Sequence, residues 1–396
     1  MGCGVTGNTS GFGPEESGFE PLRPNNFFET LHTRHSINTV NKHLPFLNQS
    51  KMRQALTYDD IQLIPNFSDV QSRQNIKLTT AISRNWSIDI PIVGSCMDTV
   101  TEFEMASTLM EMGGVGCIHR FMSIEEQVNE VKKLVAFRDT DVSMAHLPIM
   151  AAVGVVGDYL DRAVALEEAG CNIILIDVAH GHHANMEVAL AELKANLEDY
   201  TDVIAGNIAT LEAAEDLIAW GADGLRVGIG GGSLCTTRVK TGFGVPNVTS
   251  IMDVFKAADD AAVPIMADGG IKSSGDIAKA LAVGASCVMV GSLLAGTKES
   301  PGAILETPAG LFKRYRGSAS LETKVTHGQK SRNVEGESTT IPFKGGVRFI
   351  VNGLTDGIRS AFSYAGADNI YDYYSRADWN VVTNAGLAEA KPHLIA

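Results

Sequence analysis

The chain has 396 residues, 44% of them hydrophobic, and a formal net charge of −14. That length and composition suffice to bury one large core, and the acidic balance excludes nucleic-acid binding through a basic face. No apolar run is long enough to span a bilayer, and the six cysteines (Cys3, Cys96, Cys117, Cys171, Cys235, Cys287) lack metal-ligand or disulfide-framework spacing, so a soluble enzyme of a reducing cytoplasm, with no membrane partner, is expected.

Residues 1–50 are rich in Gly, Asn, Pro and Ser without sustained periodicity, and read as an irregular N-terminal extension outside the folded domain. Met1-Gly2-Cys3-Gly4-Val5-Thr6 fits the N-myristoylation pattern, but the motif is short and an oligomer contact or flexible arm is the preferred reading.

From residue 51 to 396 the pattern changes. Short apolar runs bounded by Gly, Asp or Asn predict strands over Pro91–Ser95, Gly116–His119, Ile149–Val155, Ile173–Val178, Asp202–Asn207, Gly224–Ile229, Pro264–Gly269 and Cys287–Ser292. Helical spacing lies between them, as over Ser123–Val135, Tyr159–Ala169, Leu211–Trp220 and Gly275–Val283. Near-continuous apolar strands imply burial on both faces, so the repeat predicts an α/β fold, a (β/α)8 TIM barrel, over an open doubly wound sheet. Cys96, Cys117, Cys171 and Cys287 lie in or beside these strands and read as core.

In such barrels chemistry sits at the C-terminal strand ends. Asp177 ends the fourth strand and Asn207 the fifth; the sixth leads into a loop from Gly228 through Ser233 to Cys235, Thr236, Thr237 and Arg238. Glycines admit phosphate oxygens close to backbone N–H groups, Ser233 adds a hydroxyl and Arg238 a positive charge beside a thiol. A surface turn followed by a buried cysteine explains that stretch alone equally well. Its strand-end context favours a phosphate held by Ser233, Gly270, Gly291 and Ser292, with Asp268 placed for sugar hydroxyls; the plainer role for Asp268 is capping the next turn. No strand end carries the lysine that an aldolase-type barrel needs. The run His180-Gly181-His182-His183 lacks a second ligand cluster, so a loop facing solvent or cofactor is preferred to a metal site.

Several motifs in order, Leu56-Thr57-Tyr58-Asp59-Asp60, Ser95-Cys96-Met97-Asp98-Thr99-Val100, the cysteine loop, Ala267-Asp268-Gly269-Gly270, Gly291-Ser292-Leu293-Leu294-Ala295-Gly296, Tyr315-Arg316-Gly317 and Gly357-Ile358-Arg359-Ser360, make the chain resemble the IMP dehydrogenase and GMP reductase family. The resemblance implies a homotetramer in which Cys235 attacks C2 of a purine nucleoside monophosphate to give a thioimidate, with hydride passing between C2 and a nicotinamide. It further implies substrate contacts from Ser95, Tyr315, Gly317 and Ser318, cofactor contacts from Asp177 and Asn207, an active-site flap at about 312–345, and a potassium ion on the carbonyls of Gly228, Gly230 and Cys235.

The direction of reaction turns on the flap. Dehydrogenases of the family activate water with an Arg-Tyr pair; here Arg332 is followed by Asn333. Arg332-Asn333-Val334-Glu335-Gly336 instead resembles the reductase stretch whose glutamate works with the second threonine after the cysteine, Thr237, to protonate departing ammonia. About fifteen residues between the helix after strand two and strand three leave no room for the inserted regulatory pair of many dehydrogenases. Ser95-Cys96-Met97, Ile118-His119-Arg120-Phe121-Met122-Ser123 and Gly296-Thr297-Lys298-Glu299-Ser300-Pro301-Gly302 look closer to dehydrogenases. The resemblance therefore favours a GMP reductase using NADPH, with a NAD-dependent IMP dehydrogenase as the alternative and a nucleotide sensor without turnover as the remote one. Ser318-Ala319 replaces the methionine that usually contacts the base, which leaves a modified or deoxynucleotide substrate open.

Overall fold

A computed structural model describes residues 53–326 and 334–392. The N-terminal extension with its acylation-like motif, and Arg332 with Asn333, lie outside the described residues.

The described chain begins with β1 (Ile61–Ile64) and a small antiparallel pair, β2 (Thr80–Ala81) with β3 (Ser87–Ile88). Eight parallel strands then close on themselves: β4 (Ile92–Gly94), β5 (Val115–Ile118), β6 (Met150–Val153), β7 (Ile173–Asp177), β8 (Asp202–Ile208), β9 (Gly224–Val227), β10 (Ile265–Asp268) and β11 (Cys287–Val290). They pair in chain order, and β11 returns to β4 through Val288↔Ile92, Met289↔Val93 and Val290↔Gly94. This is the expected TIM barrel, and each predicted run overlaps one strand, with β5 beginning one residue earlier at Val115 and β8 ending one later at Ile208. All residues of β4, β5, β6, β8, β9 and β11 are buried, which explains why these segments read as unbroken apolar runs. Cys96, Cys117, Cys171 and Cys287 are buried, whereas Cys235 is exposed.

The helices between strands are α1 (Phe103–Glu111), α2 (Ile124–Arg138), α3 (Tyr159–Glu168), α4 (Ala184–Asn196), α5 (Leu211–Ala219), the short α6 (Thr237–Thr241), α7 (Asn247–Asp260) and α8 (Ser274–Ala282). Local chemistry sets their starts. Ser123 accepts from the Glu126 N–H while Glu126 returns a bond to the Ser123 N–H, a capping box that begins α2 at the end of the second loop. Only residues 139–149 separate α2 from β6, so no domain is inserted there.

After β11 the chain leaves the barrel for an antiparallel sheet of β12 (Leu305–Thr307), β13 (Gly310–Arg316) and β14 (Ser338–Pro342), with α9 (Leu321–Thr326) between the last two. The sheet begins before residue 312, where the flap was expected to open. The end of β13 is tied to the first barrel loop: Arg316 holds Asp98 at 2.7 Å, and its backbone N–H donates to Thr99 Oγ1 at 3.2 Å. The last barrel helix, α10 (Val347–Ala365), packs against α1 and α8, and α11 (Ile370–Arg376), β15 (Asp378–Val381) and α12 (Asn384–Glu389) follow. β15 pairs with β1.

Candidate active site

The C-terminal strand ends open into a cavity of about 490 Å³. Its walls bring together residues that the sequence separates by more than 200 positions, from Ser95 and Met97 on one side to Glu335 and Gly336 on the other.

The cysteine loop forms the centre. Backbone pairing between Cys235 and Gly336, with the Thr236 N–H donating to the Glu335 carbonyl at 3.0 Å, lays the segment after β13 directly along the loop. Glu335 is fixed from its other side by its N–H to the Ala319 carbonyl, 3.1 Å. As a result the Cys235 thiol donates to Thr237 Oγ1 at 3.2 Å, and the Thr237 hydroxyl donates to Glu335 Oε2 at 2.7 Å. Thr237 is buried and Cys235 open to the cavity, so the line of proton donors runs from the accessible sulfur inward to a carboxylate. Such a line can take a proton from sulfur and hold it for return.

The proposed phosphate contacts surround one corner. Ser233 Oγ and the Tyr315 hydroxyl lie 3.0 Å apart. Burial raises the Tyr315 pKa above its ordinary value, so this phenol remains a donor at neutral pH. Gly291 lies directly below: a Cβ there would fall 3.3 Å from the Tyr315 hydroxyl. Gly269 and Gly270 turn with φ of +89° and +76°, and a Cβ on Gly269 would come 2.8 Å from the Gly231 backbone. Only glycine allows the turn after β10 to meet the cysteine loop this closely. Gly270 faces Tyr58, whose ring a Cβ there would meet at 3.3 Å, and the Ser292 carbonyl receives Lys344 Nζ; none of Gly270, Gly291 and Ser292 lines the main cavity. Gly317 and Ser318 do line it, together with Ala319, and Gly317 lies against the cysteine loop, where a Cβ would fall 3.5 Å from Leu234 Cβ.

Below the loop lies a charged layer that the sequence did not disclose. Arg226, in the middle of β9, is buried and joins Asp177 at 2.6 Å to Asp268 at 3.0 Å. Asn207 donates to Asp268 Oδ2 at 2.7 Å. Burial alone would raise the Asp177 carboxyl, but Arg226 and Arg120 hold it below its ordinary value. Burial likewise works against the Arg226 charge, and Asp268, Cys96 and Asp177 together raise its pKa well above the usual value. Asp268 is thus not a cap on the following turn; it is held by Arg226 and Asn207 and is partly exposed to the cavity. Arg120, from the second barrel loop, places Nε 3.7 Å from Asp177 Oδ2, and this buried nitrogen has no hydrogen-bond partner among the described residues. An arginine within an apolar strand is itself the signal for this layer, because a buried guanidinium needs carboxylates and two strand ends supply them.

Arg238 does not face the phosphate corner. Its guanidinium turns back under the loop, and the Gly228 carbonyl accepts from Asn207 Nδ2 at 2.7 Å. Of the three carbonyls expected to hold potassium, that of Gly228 thus already accepts one hydrogen bond. The histidine run is tied into the fold: His182 pairs with Asp216 at 2.8 Å and His183 caps α4, and among the described residues no group of three or more His, Cys, Asp or Glu is arranged to hold a metal. No described helix is long and apolar enough to cross a membrane.

Residues 55–393 match the IMP dehydrogenase / GMP reductase domain family. The chain is 38% identical to an inosine-5'-monophosphate dehydrogenase of Cryptosporidium parvum, across 86% of this chain and 95% of that protein. It is 32% identical to a GMP reductase of Leishmania major, across 87% and 97%. The fold superposes with a TM-score of 0.82 on the crystal structure of a cysteine-to-alanine variant of GMP reductase from Trypanosoma brucei in complex with guanosine 5'-monophosphate, at 30% identity, covering 88% of this chain and 99% of that one.

Proposed function

The chain belongs to the IMP dehydrogenase / GMP reductase family of purine nucleotide oxidoreductases, and we propose that it reduces GMP to IMP and ammonia with NADPH. The observation that carries this reading is the line from Cys235 through Thr237 to Glu335 at 3.2 and 2.7 Å. A dehydrogenase needs a base for water at this point, whereas a reductase needs an acid for a departing amine.

In this mechanism the sulfur of Cys235 bonds to C2 of guanine while its proton passes through Thr237 to Glu335. The same carboxyl returns the proton through Thr237 as the C2–N bond breaks, so ammonia leaves and a thioimidate remains on Cys235. The reduced nicotinamide supplies hydride to C2 when bound. The C–S bond then opens, releasing IMP and a thiolate that takes a proton from solvent to restore the thiol. Ser233, Tyr315 and the backbone of Gly231 and Gly232 bind the phosphate, Asp268 takes ribose hydroxyls, and Gly317 and Ser318 face the base. For the cofactor, the donor set fits an amide and a diol: the unpartnered Nε of Arg120 and the carboxylate of Asp177 stand beside Asn207 on the wall next to Cys235. A homotetramer is part of the same proposal.

The dehydrogenase reading is supported by identities of 35% and 38% to the IMP dehydrogenases of Nitrosopumilus maritimus and C. parvum. Assays of purified protein with GMP plus NADPH and with IMP plus NAD decide between them. Ammonia and loss of NADPH in the first support the reductase; XMP and NADH in the second alone refute it. Silence with both nucleotides, and activity with a deoxy or modified purine, would trace to Ser318.

A further inference from the structure

Lys313 lies in the middle of β13, two residues before Tyr315 and on the same face; both are buried, while Arg314 between them is exposed. A lysine only 2% exposed destabilises the fold unless its charge is satisfied. Here Nζ donates to the carbonyls of Thr297 at 3.0 Å, Lys298 at 3.4 Å and Ser300, three neutral acceptors for the three N–H bonds of an ammonium. All three carbonyls belong to the loop that follows β11 and begins at Gly291. Side chains draw the same loop together: Thr297 Oγ1 donates to the Leu294 carbonyl at 2.7 Å, and Ser300 Oγ to the Thr297 carbonyl at 2.9 Å.

A second ammonium grips the start of that loop. Lys344, exposed beyond β14, donates to the carbonyls of Ser292 and Leu293. The Lys298 N–H donates to the Gly345 carbonyl and the Lys344 N–H to the Gly296 carbonyl, both at 2.8 Å, which lays the two segments side by side. The sheet outside the barrel is thereby fixed to both ends of the loop. Gly291, at its head, comes so close under Tyr315 that a Cβ would fall 3.3 Å from the phenol oxygen, and that oxygen lies 3.0 Å from Ser233 Oγ. A methionine at 313 would fill the strand at similar length without burying a charge, so packing alone does not call for lysine.

We infer that Lys313 and Lys344 are positioning residues for the phosphate corner: by gathering the carbonyls of the loop after β11 they seat β13 on it and hold the Tyr315 hydroxyl beside Ser233. The inference rests on the proposed reading of Ser233 and Tyr315 as phosphate donors, and not on the direction of the reaction.

The test is a double-mutant cycle in the full chain, read as GMP affinity by calorimetry without cofactor. Tyr315→Phe and Lys313→Met each bind GMP about tenfold or more weakly, and the double variant stays within about twofold of Lys313→Met, because a hydroxyl already out of place has little left to lose. Lys344→Met, at an exposed position, gives the same lack of additivity with Tyr315→Phe, and its cycle decides the matter where Lys313→Met does not fold. Losses that multiply in either cycle overturn the inference for that lysine, since a side chain that only stabilises the fold leaves the contribution of Tyr315 intact. A lysine variant that binds GMP as the unmodified protein does overturns it as well. Normal GMP binding by Tyr315→Phe alone removes the phosphate reading and the inference with it, whereas multiplying losses remove the inference and leave that reading standing.

Discussion

The Thr237 hydroxyl donates to Glu335 Oε2 at 2.7 Å although 98 residues separate them. The contact exists because the strand-like pairing of Cys235 with Gly336 brings a segment from beyond the barrel onto the cysteine loop. Glu335→Gln keeps the shape and removes the proton acceptor. Ammonia release from GMP is expected to fall by about 10²–10⁴-fold, the usual contribution of a positioned acid or base. Hydride transfer between IMP and oxidised cofactor, measured in a single turnover, should fall far less. Equal losses in both would remove the relay role from Glu335.

Cys235→Ser should abolish turnover in either direction while GMP binding changes little. The phosphate corner of Ser233 and Tyr315 and the ribose acceptor Asp268 remain in place without the sulfur. Calorimetry with GMP checks this, and loss of binding by a normally folded variant would contradict the separation.

Tyr315→Phe leaves the ring and deletes a donor 3.0 Å from Ser233 Oγ. GMP affinity should weaken by about 1.5 to 3 kcal/mol, the scale of one hydrogen bond to a charged group, with kcat nearly unchanged. An effect confined to kcat would place Tyr315 in the chemistry instead.

Arg226→Met leaves Asp177 and Asp268 without their shared cation. Breaking a buried pair in this way costs about 3 to 5 kcal/mol, measured by urea unfolding at neutral pH. Asp177 is held low in the folded protein, so its contribution is present above the unfolded carboxyl value of about 3.9 and is lost as pH falls through the folded value. In Arg226→Met the unpaired carboxylate is relieved by protonation, so the gap in stability from the unmodified protein should narrow on acidification below about pH 5. A gap that does not vary with pH would show that Asp177 is not what Arg226 stabilises.

The barrel was legible because eight runs such as Ile173–Asp177 are apolar on both faces, a pattern that survives without any knowledge of partners. Asp177, Asn207 and Asp268 were legible for a related reason: a polar residue closing an apolar run has a strand end as its natural place. Arg226 was not, since one charge inside Gly-Leu-Arg-Val reads as a lapse in the strand until Asp177 and Asp268 are seen on its neighbours. The direction of Arg238 was hidden too. Sequence places its charge beside the thiol, but only the socket of Gly230 and Gly244 turns it under the loop. The Asp98–Arg316 clamp joins two quoted motifs whose meeting no spacing encodes.

The most direct measurement is a single turnover of GMP with NADPH deuterated at C4 of the nicotinamide, followed by mass analysis of the nucleotide. The account predicts IMP carrying one deuterium at C2, with ammonia released in equal amount. Unchanged GMP, together with XMP formed from IMP and NAD by the same preparation, would contradict it.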